Sequence, residues 1–221
     1  MAKRKLEHFA EMKTFANTFE FGYYEVEQGH PMRGKWHADF FKNNNPIVLE
    51  LGCGKGEYTV GLARRYPDKN FIGIDIKGAR MWYGAKDATV NNLHNVAFLR
   101  TRIDFIERCF APGEVDEIWA TFSDPQPHKP RKRLSSALFL SRYKNIIKPG
   151  GILHVKTDSV LLYESTLETA ASENQQVLMH SADVYGEKEK LDPVLTEIQT
   201  TYEKRFLAEG KKITYVKMCL R

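Results

Sequence analysis

The sequence predicts an α/β fold built on a mostly parallel sheet with helices on both faces. Three observations carry that expectation. Apolar runs alternate with helical stripes from residue 47 onward. One run, Ile47–Leu51, passes straight into three glycines at alternate positions, Gly52, Gly54 and Gly56, and then into a helix marked by Tyr58, Leu62 and Tyr66. Glycines or acids also close run after run: Gly52–Gly56, Asp75, Asp104, Asp124 and Asp158 stand at or just after strand ends. Open α/β sheets bind their ligands there, beyond the carboxyl ends of the strands.

Taken in order, the first core strand is Ile47–Leu51, followed by a glycine loop and a helix over Glu57–Tyr66. Pro67-Asp68 closes that helix. A second strand, Asn70–Ile76, leads to a helix from Ala79 to about Asn91. The third strand, Val96–Arg100, leads to Asp104 and a short helix ending near Phe110. Strand four, Glu117–Phe122, opens into a polar loop, Ser123–Arg133. Ser135 or Ser136 caps the next helix, whose apolar face carries Phe139, Tyr143, Ile146 and Ile147. Pro149-Gly150-Gly151 stops it, and Ile152–Lys156 is strand five. Val160, Tyr163, Leu167, Ala170 and Ala171 mark a further helix. Gln176–Val184 and Ile213–Leu220 read as late strands, with a helix around Thr200–Ala208 between them. Without a clear crossover helix they imply an antiparallel edge.

The glycine loop and Asp75 belong together. Glycines permit a tight turn and bring a ligand against bare backbone. An acid at the end of the second strand is placed to bind ribose hydroxyls. Together they imply an adenosine-containing cofactor. The dinucleotide fingerprint G-x-G-x-x-G would need a third glycine where Glu57 stands. A phosphate-binding P-loop would need a Lys-Ser/Thr pair, which does not follow. The spacing is G-x-G-x-G, preceded by Glu50. It resembles motif I of class I S-adenosylmethionine (SAM) methyltransferases, which implies a Rossmann-like, seven-stranded, mostly parallel sheet with an antiparallel last strand. In that family the acid before the glycines sits near the methionine end of SAM and the second-strand acid holds the ribose.

The chain has 221 residues, enough for one sizeable α/β domain. Its apolar runs fall short of a membrane span, and its start lacks a signal-peptide core. Three scattered cysteines, Cys53, Cys109 and Cys219, form no metal pattern with the seven histidines, so no metal is expected. A reduced cytoplasmic setting follows. Cys53, in the glycine loop, reads as a small filler. The formal net charge is +5, and the cations concentrate at the N-terminus and at Lys129–Arg133. Such patches attract polyanions.

Residues 1–45 form a basic N-terminal extension ahead of a catalytic domain spanning 46–221. Lys3, Arg4, Lys5 and Lys13 make it cationic, and Phe9, Phe15, Phe19 and Phe21 thread through it. Either it touches RNA through cations and rings, or it packs its phenylalanines on the domain. Gly34–Phe41 reads as a short helix, and Asn43–Pro46 as the connecting loop.

The loop FSDPQPHKPRKRL (Phe122–Leu134) sets Asp124 at a strand end and follows it with Lys129, Arg131, Lys132 and Arg133. An acid beside a methyl acceptor and cations beside phosphates suit a nucleic-acid substrate. Here the sequence resembles the bacterial tRNA (guanine-N7)-methyltransferase family. LELGCGKG with GIDI is similar to its cofactor motifs, and FSDPQPHKPRKRL to its proline- and base-rich loop. HVKTD also fits, as does Thr200-Thr201-Tyr202-Glu203 followed by Arg205-Phe206, similar to T-x-Y/F-E-x-R-F.

The resemblance implies methyl transfer from SAM to N7 of a guanine in the tRNA variable loop. Glu50, Gly52, Gly54, Gly56, Asp75 and Asp104 would then surround SAM, and Asp124 would be the acid of the active site. Asp158, Thr200 and Glu203 would contact the guanosine. The loop departs from the family's by Gln126 in place of Trp and by two missing residues. That leaves the substrate lysine between Lys129 and a role taken by His128; Lys129 is the choice here. Tyr202 and Phe206 read as packing residues. Two other readings stand beside this one. The first is methylation of an exocyclic amine, from the distant likeness of D-P-Q-P to such enzymes' loops. The second is a non-catalytic RNA-binding protein with a SAM fold. The oligomeric state is open.

Overall fold

The computed structural model describes residues 2–25 and 27–221. The side chains of residues 2–4 and of Glu25 lie outside that description, Lys3 and Arg4 among them. One sheet holds eight strands: β1 (Thr18–Glu20), β2 (Ile47–Leu51), β3 (Asn70–Asp75), β4 (Val96–Arg100), β5 (Val115–Thr121), β6 (Ile147–Thr157), β7 (Gln176–Ser181) and β8 (Thr214–Cys219). Their order is β1-β4-β3-β2-β5-β6-β8-β7. The first six in that order are parallel; β8 runs antiparallel between β6 and β7. Every residue of β2 is buried, as a strand covered on both faces requires.

Among the described residues, eight α-helices cover the sheet: α1 (Ala2–Met12), α2 (Glu57–Arg65), α3 (Gly78–Val90), α4 (Ile106–Cys109), α5 (Ala137–Lys144), α6 (Val160–Ser172), α7 (Val194–Glu197) and α8 (Thr201–Ala208). Two apolar cores result. One holds Leu49, Leu51 and Ile118 against Ile106, Phe139 and Tyr143. The other holds Val48, Phe71 and Phe98 against Tyr58, Leu62, Met81 and Ala85. The expected mostly parallel sheet with helices on both faces is therefore present.

The structure corrects several details. The sheet has eight strands rather than seven, because the N-terminal segment adds β1, which pairs in parallel with β4 at Thr18↔Phe98. A helix, α1, precedes it and lies on α3. Phe21 is buried, Phe19 and Phe15 are half-buried against the two cores, and Lys5 and Lys13 are exposed. Trp36, in a π-helical turn over Trp36–Phe41, is fully buried and donates from Nε1 to the Cys109 carbonyl at 3.0 Å. Pro149-Gly150-Gly151 does not end a helix. It lies inside β6 as an irregularity, with Gly150 at φ 79, and Ile147 pairs with Val115 on the strand. The inner face of α6 is Leu162, Thr166 and Ala170, while Val160 and Ala171 face out; the Thr166 hydroxyl is satisfied by Ser135 at 2.7 Å. Ser136 holds the α5 N-cap position, but its hydroxyl donates to the Arg131 carbonyl at 3.0 Å instead of capping the helix.

Candidate functional site

A cleft of about 730 Å³ opens beyond the carboxyl ends of β2, β3 and β5. Its floor is the glycine loop. Gly52 and Gly54 lie at φ 76 and 56, in the left-handed region that suits glycine. The N–H groups of Gly52 and Cys53 donate to the Ile74 carbonyl at 2.8 and 3.0 Å, which folds the loop against β3. A Cβ on Gly52 would meet nothing within 4 Å, so bare backbone faces the cleft there. Gly56 does a different job. A Cβ there would stand 2.6 Å from the Phe98 ring and 3.2 Å from Gly84 Cα, so Gly56 lets α2 approach the sheet and α3 and does not line the cleft.

Two carboxylates frame the floor. Glu50 is buried and accepts from the Thr59 N–H at 2.8 Å, the Thr59 hydroxyl, and the Thr121 hydroxyl at 2.6 Å. Burial pushes its pKa up to about 7, against the pull of those donors. Asp75 accepts from the Gly54 N–H at 2.9 Å and the Lys77 N–H at 2.8 Å. Each of its oxygens keeps a lone pair for a ligand hydroxyl. Cys53 also lines the cleft. Burial, then the Glu50 and Asp75 charges, push its thiol well above the ordinary value, which fits a filler and not a nucleophile.

The opposite wall comes from far along the chain. Phe122–Asp124 and Gln126 line it, and Phe122 and Gln126 take left-handed φ values of 49 and 45 on either side of Asp124. Non-glycine residues there store strain, which recurs at functional sites. Asp124 is exposed to the cleft and its carboxylate accepts from the Gln126 N–H at 2.9 Å, so it lines the cleft and fixes the turn together. Ser123, beside it, has a buried hydroxyl with no hydrogen-bond partner among the described residues. Thr200, Thr201 and Tyr202, at the start of α8, complete the wall. Thr200 caps α8 by accepting from the Glu203 N–H at 3.1 Å. Thr201 donates to Glu57 from its N–H at 2.9 Å and its hydroxyl at 2.5 Å, and accepts from Lys55 Nζ at 3.1 Å. Arg80 donates to the Tyr202 hydroxyl at 2.9 Å.

Of the residues the sequence singled out, Glu50, Gly52, Gly54, Asp75, Asp124 and Thr200 meet in this cleft. Four others do not. Asp104 points to a separate groove and pairs with Arg102 at 2.9 Å and Arg142 at 3.8 Å; its neighbour Ile103 lines the cleft instead. Lys129 and His128 are exposed outside the cleft lining, because the loop closes in a 3-10 turn over Pro130–Lys132 that delivers Lys132 instead. Asp158 is half-buried and pairs with Lys211 at 3.1 Å. Glu203 is fully buried, 2.6 Å from Lys156 Nζ, and accepts from the Tyr185 hydroxyl at 2.9 Å. Capping by Thr200 starts the helix there and turns Glu203 inward.

Sequence reasoning passed over Lys55, Lys77 and Arg80 and gave Arg205 no role of its own, and all four line the cleft. Tyr202 is on its rim, not in the core, whereas Phe206 packs 6.0 Å from Phe122 as expected. Arg80 carried one available signal, its place in the first turn of the helix after Asp75. Among the described residues, no group of three or more His, Cys, Asp or Glu side chains is placed to hold a metal ion, and no helix is long and apolar enough to cross a membrane.

The bare glycine backbone, the two carboxylates and the room beside them fit SAM. Fold and site together define a SAM-dependent methyltransferase of class I. The family described as "Putative methyltransferase" matches residues 44–216, and the chain belongs to it. A Bacteroides thetaiotaomicron protein named tRNA (guanine-N(7)-)-methyltransferase is 50% identical over the whole of this chain and 87% of its own length. One of the same name from Brevibacillus brevis is 35% identical, covering 82% of this chain and 83% of its own. A solved 30S ribosomal A1408 methyltransferase from an uncultured bacterium superposes with a TM-score of 0.61 at 16% identity, over 83% of this chain and 92% of that one. A geranyl diphosphate C-methyltransferase from Streptomyces coelicolor reaches 0.54 at 15% identity, over 85% and 74%. Such different substrates on one fold mean that these structural likenesses speak for the fold alone.

Proposed function

We propose that this protein transfers a methyl group from SAM to N7 of a guanine in the tRNA variable loop. The names of its close relatives support the atom and the substrate. Bound SAM supplies an electrophilic methyl group. Guanine N7 carries a lone pair and no proton, so attack needs neither a general base nor a covalent enzyme intermediate. The protein's task is to align the two partners and exclude water. Methyl transfer to N7 would leave the guanine ring with a positive charge. Asp124, held by its turn at the cleft, is placed to stabilise that charge. Lys132, Arg80 and Arg205 line the same cleft and suit the adjoining phosphates. With tRNA as substrate, the enzyme works in the cytoplasm.

The observation that carries this reading is Asp124, lining the SAM-sized cleft between two strained residues. The test uses labelled SAM, unmodified tRNA transcripts and nucleoside mass spectrometry. 7-Methylguanosine is expected from a transcript with a variable-loop guanine and not from its adenine counterpart. Asp124→Ala is expected to lower kcat about 10²-fold while SAM still binds. Full turnover by that variant at saturating tRNA would remove Asp124 from the mechanism.

A further inference from the structure

A second, smaller cleft of about 340 Å³ adjoins the first, and the two share one wall, Ile76. Its other walls are Phe21 and Tyr23 from the N-terminal segment and Arg100, Arg102 and Phe105 from the end of β4 and the turn after it. The mechanism above uses none of these side chains. Beside the cleft stand two aromatic rings that burial does not account for: Tyr24 is 98% exposed and Tyr23 75%. They meet edge to face at 6.0 Å, and Tyr23 lies 6.3 Å from the Phe105 ring. The shared wall, Ile76, is itself 52% exposed. Thr101, also in the lining, has a buried hydroxyl with no hydrogen-bond partner among the described residues. The Arg102 guanidinium sits 5.8 Å from the centre of the Phe105 ring.

Rings, a cation and an unused hydroxyl at the lip of a methyl-transfer cleft match what single-stranded RNA needs. Bases stack on aromatic faces whatever their identity, and arginine serves the phosphate. The two arginines have partners, Arg100 with Glu20 at 3.2 Å and Arg102 with Asp104 at 2.9 Å. Both are surface pairs, which contribute little, so a phosphate can displace the carboxylate at small cost. A guanine presented to the first cleft must leave its stack, and that strips its neighbour of a stacking face.

We propose that Tyr23, Tyr24 and Phe105 form a stacking subsite for the single-stranded tRNA nucleotide next to the methylated guanine, with Arg102 on its phosphate. This rests on the tRNA reading above. It gives the N-terminal segment, already joined to the sheet through β1, a part in substrate binding.

The test compares the Y23L/Y24L and Y23F/Y24F variants with the parent. Labelled unmodified tRNA is titrated by fluorescence anisotropy at several salt concentrations, and SAM is titrated by calorimetry. Both side chains are exposed, so the fold does not depend on them. The leucine variant is expected to bind tRNA about tenfold more weakly with an unchanged salt slope, and the phenylalanine variant to bind like the parent. Arg102→Ala is expected to weaken binding and reduce the salt slope by about one. SAM affinity should stay at the parent value throughout.

The subsite is rejected if the leucine variant binds tRNA within twofold of the parent, or if phenylalanine fails to restore binding. It is also rejected if SAM affinity falls while tRNA affinity holds, since the cleft then serves the cofactor's base. A parent that binds tRNA but yields no 7-methylguanosine would refute the proposed reaction and leave the subsite to stand on the binding ratios. A parent that binds no tRNA would refute both.

Discussion

The two walls of the catalytic cleft are built in different ways. The cofactor wall is mostly local: Thr59 reaches Glu50 across 9 residues and Gly54 reaches Asp75 across 21, with one longer tie, Thr121 to Glu50 across 71. The facing wall is joined to it by contacts spanning most of the chain. Lys55 meets Thr201 across 146 residues, Glu57 meets Thr201 across 144, and Arg80 meets Tyr202 across 122. A strand, a loop and a helix in succession can build the first wall with little help. The second exists only once α8 has been carried back over the sheet and anchored. One buried ion pair helps to anchor it, Lys156 on β6 with Glu203 on α8, both fully enclosed.

The comparison predicts that the second wall fails when its anchor is cut. Lys156→Met leaves the Glu203 carboxylate buried without its cation, a loss of about 3–5 kcal/mol. Urea unfolding followed by circular dichroism measures this loss, the largest expected from a single substitution at the cleft or its anchor. The K156M/E203L double variant replaces the pair with apolar groups and should recover most of the loss. If Lys156→Met alone unfolds at the parent midpoint, the pair is no anchor.

The same contrast explains what was legible in the sequence. Ile47–Leu51, the glycine loop and Asp75 announce themselves because strand period, glycine spacing and helix period are local signals. The resemblance assigns Glu203 to the substrate, but a surface acid and a buried one have the same letter, and its burial against Lys156 and Tyr185 is visible only in the packing. Lys129 and Lys132 stand three residues apart in one basic run, and the 3-10 turn that selects Lys132 depends on tertiary closure of the loop. The place of Asp104 after a strand suggests the cofactor, yet Arg142, 38 residues on, reaches its carbonyl and draws it into a separate groove. β1 is three residues long, too short for any alternation to show.

Within the cofactor wall itself, two glycines sharpen the comparison. Gly56→Ala would place a methyl group 2.6 Å from the rigid Phe98 ring and 3.2 Å from Gly84 Cα, at φ 73. Overpacking and the left-handed backbone together cost about 3 kcal/mol. Gly52→Ala meets nothing within 4 Å, so it pays only for its φ of 76, about 1 kcal/mol. Its methyl group projects into the cleft, so SAM affinity should drop at least tenfold by calorimetry while the fold holds. The opposite pattern, a stable Gly56→Ala protein and a Gly52→Ala protein with parent SAM affinity, would reverse the roles assigned to these residues.

The smallest of the expected effects tests the chemistry of the cofactor wall. Burial raises the Glu50 pKa from 4.5 to about 7, so between those values the folded protein holds a proton that the unfolded chain has released. The stability that Glu50 contributes is therefore fully present below pH 4.5 and is lost as pH rises through about 7. A cationic ligand beside the carboxylate reverses the preference and expels that proton on binding. SAM affinity should then rise up to about tenfold between pH 6 and 8 and level off above, with proton release visible as a buffer-dependent binding enthalpy. Glu50→Gln removes the titrating group, keeps one acceptor oxygen for Thr59 and turns its amide N–H toward the Thr121 hydroxyl, which can accept, so its affinity should be lower and insensitive to pH over that range. A parent protein whose SAM affinity does not change between pH 6 and 8 would mean that Glu50 is already ionised before the cofactor arrives, and that its three hydrogen-bond donors outweigh its burial.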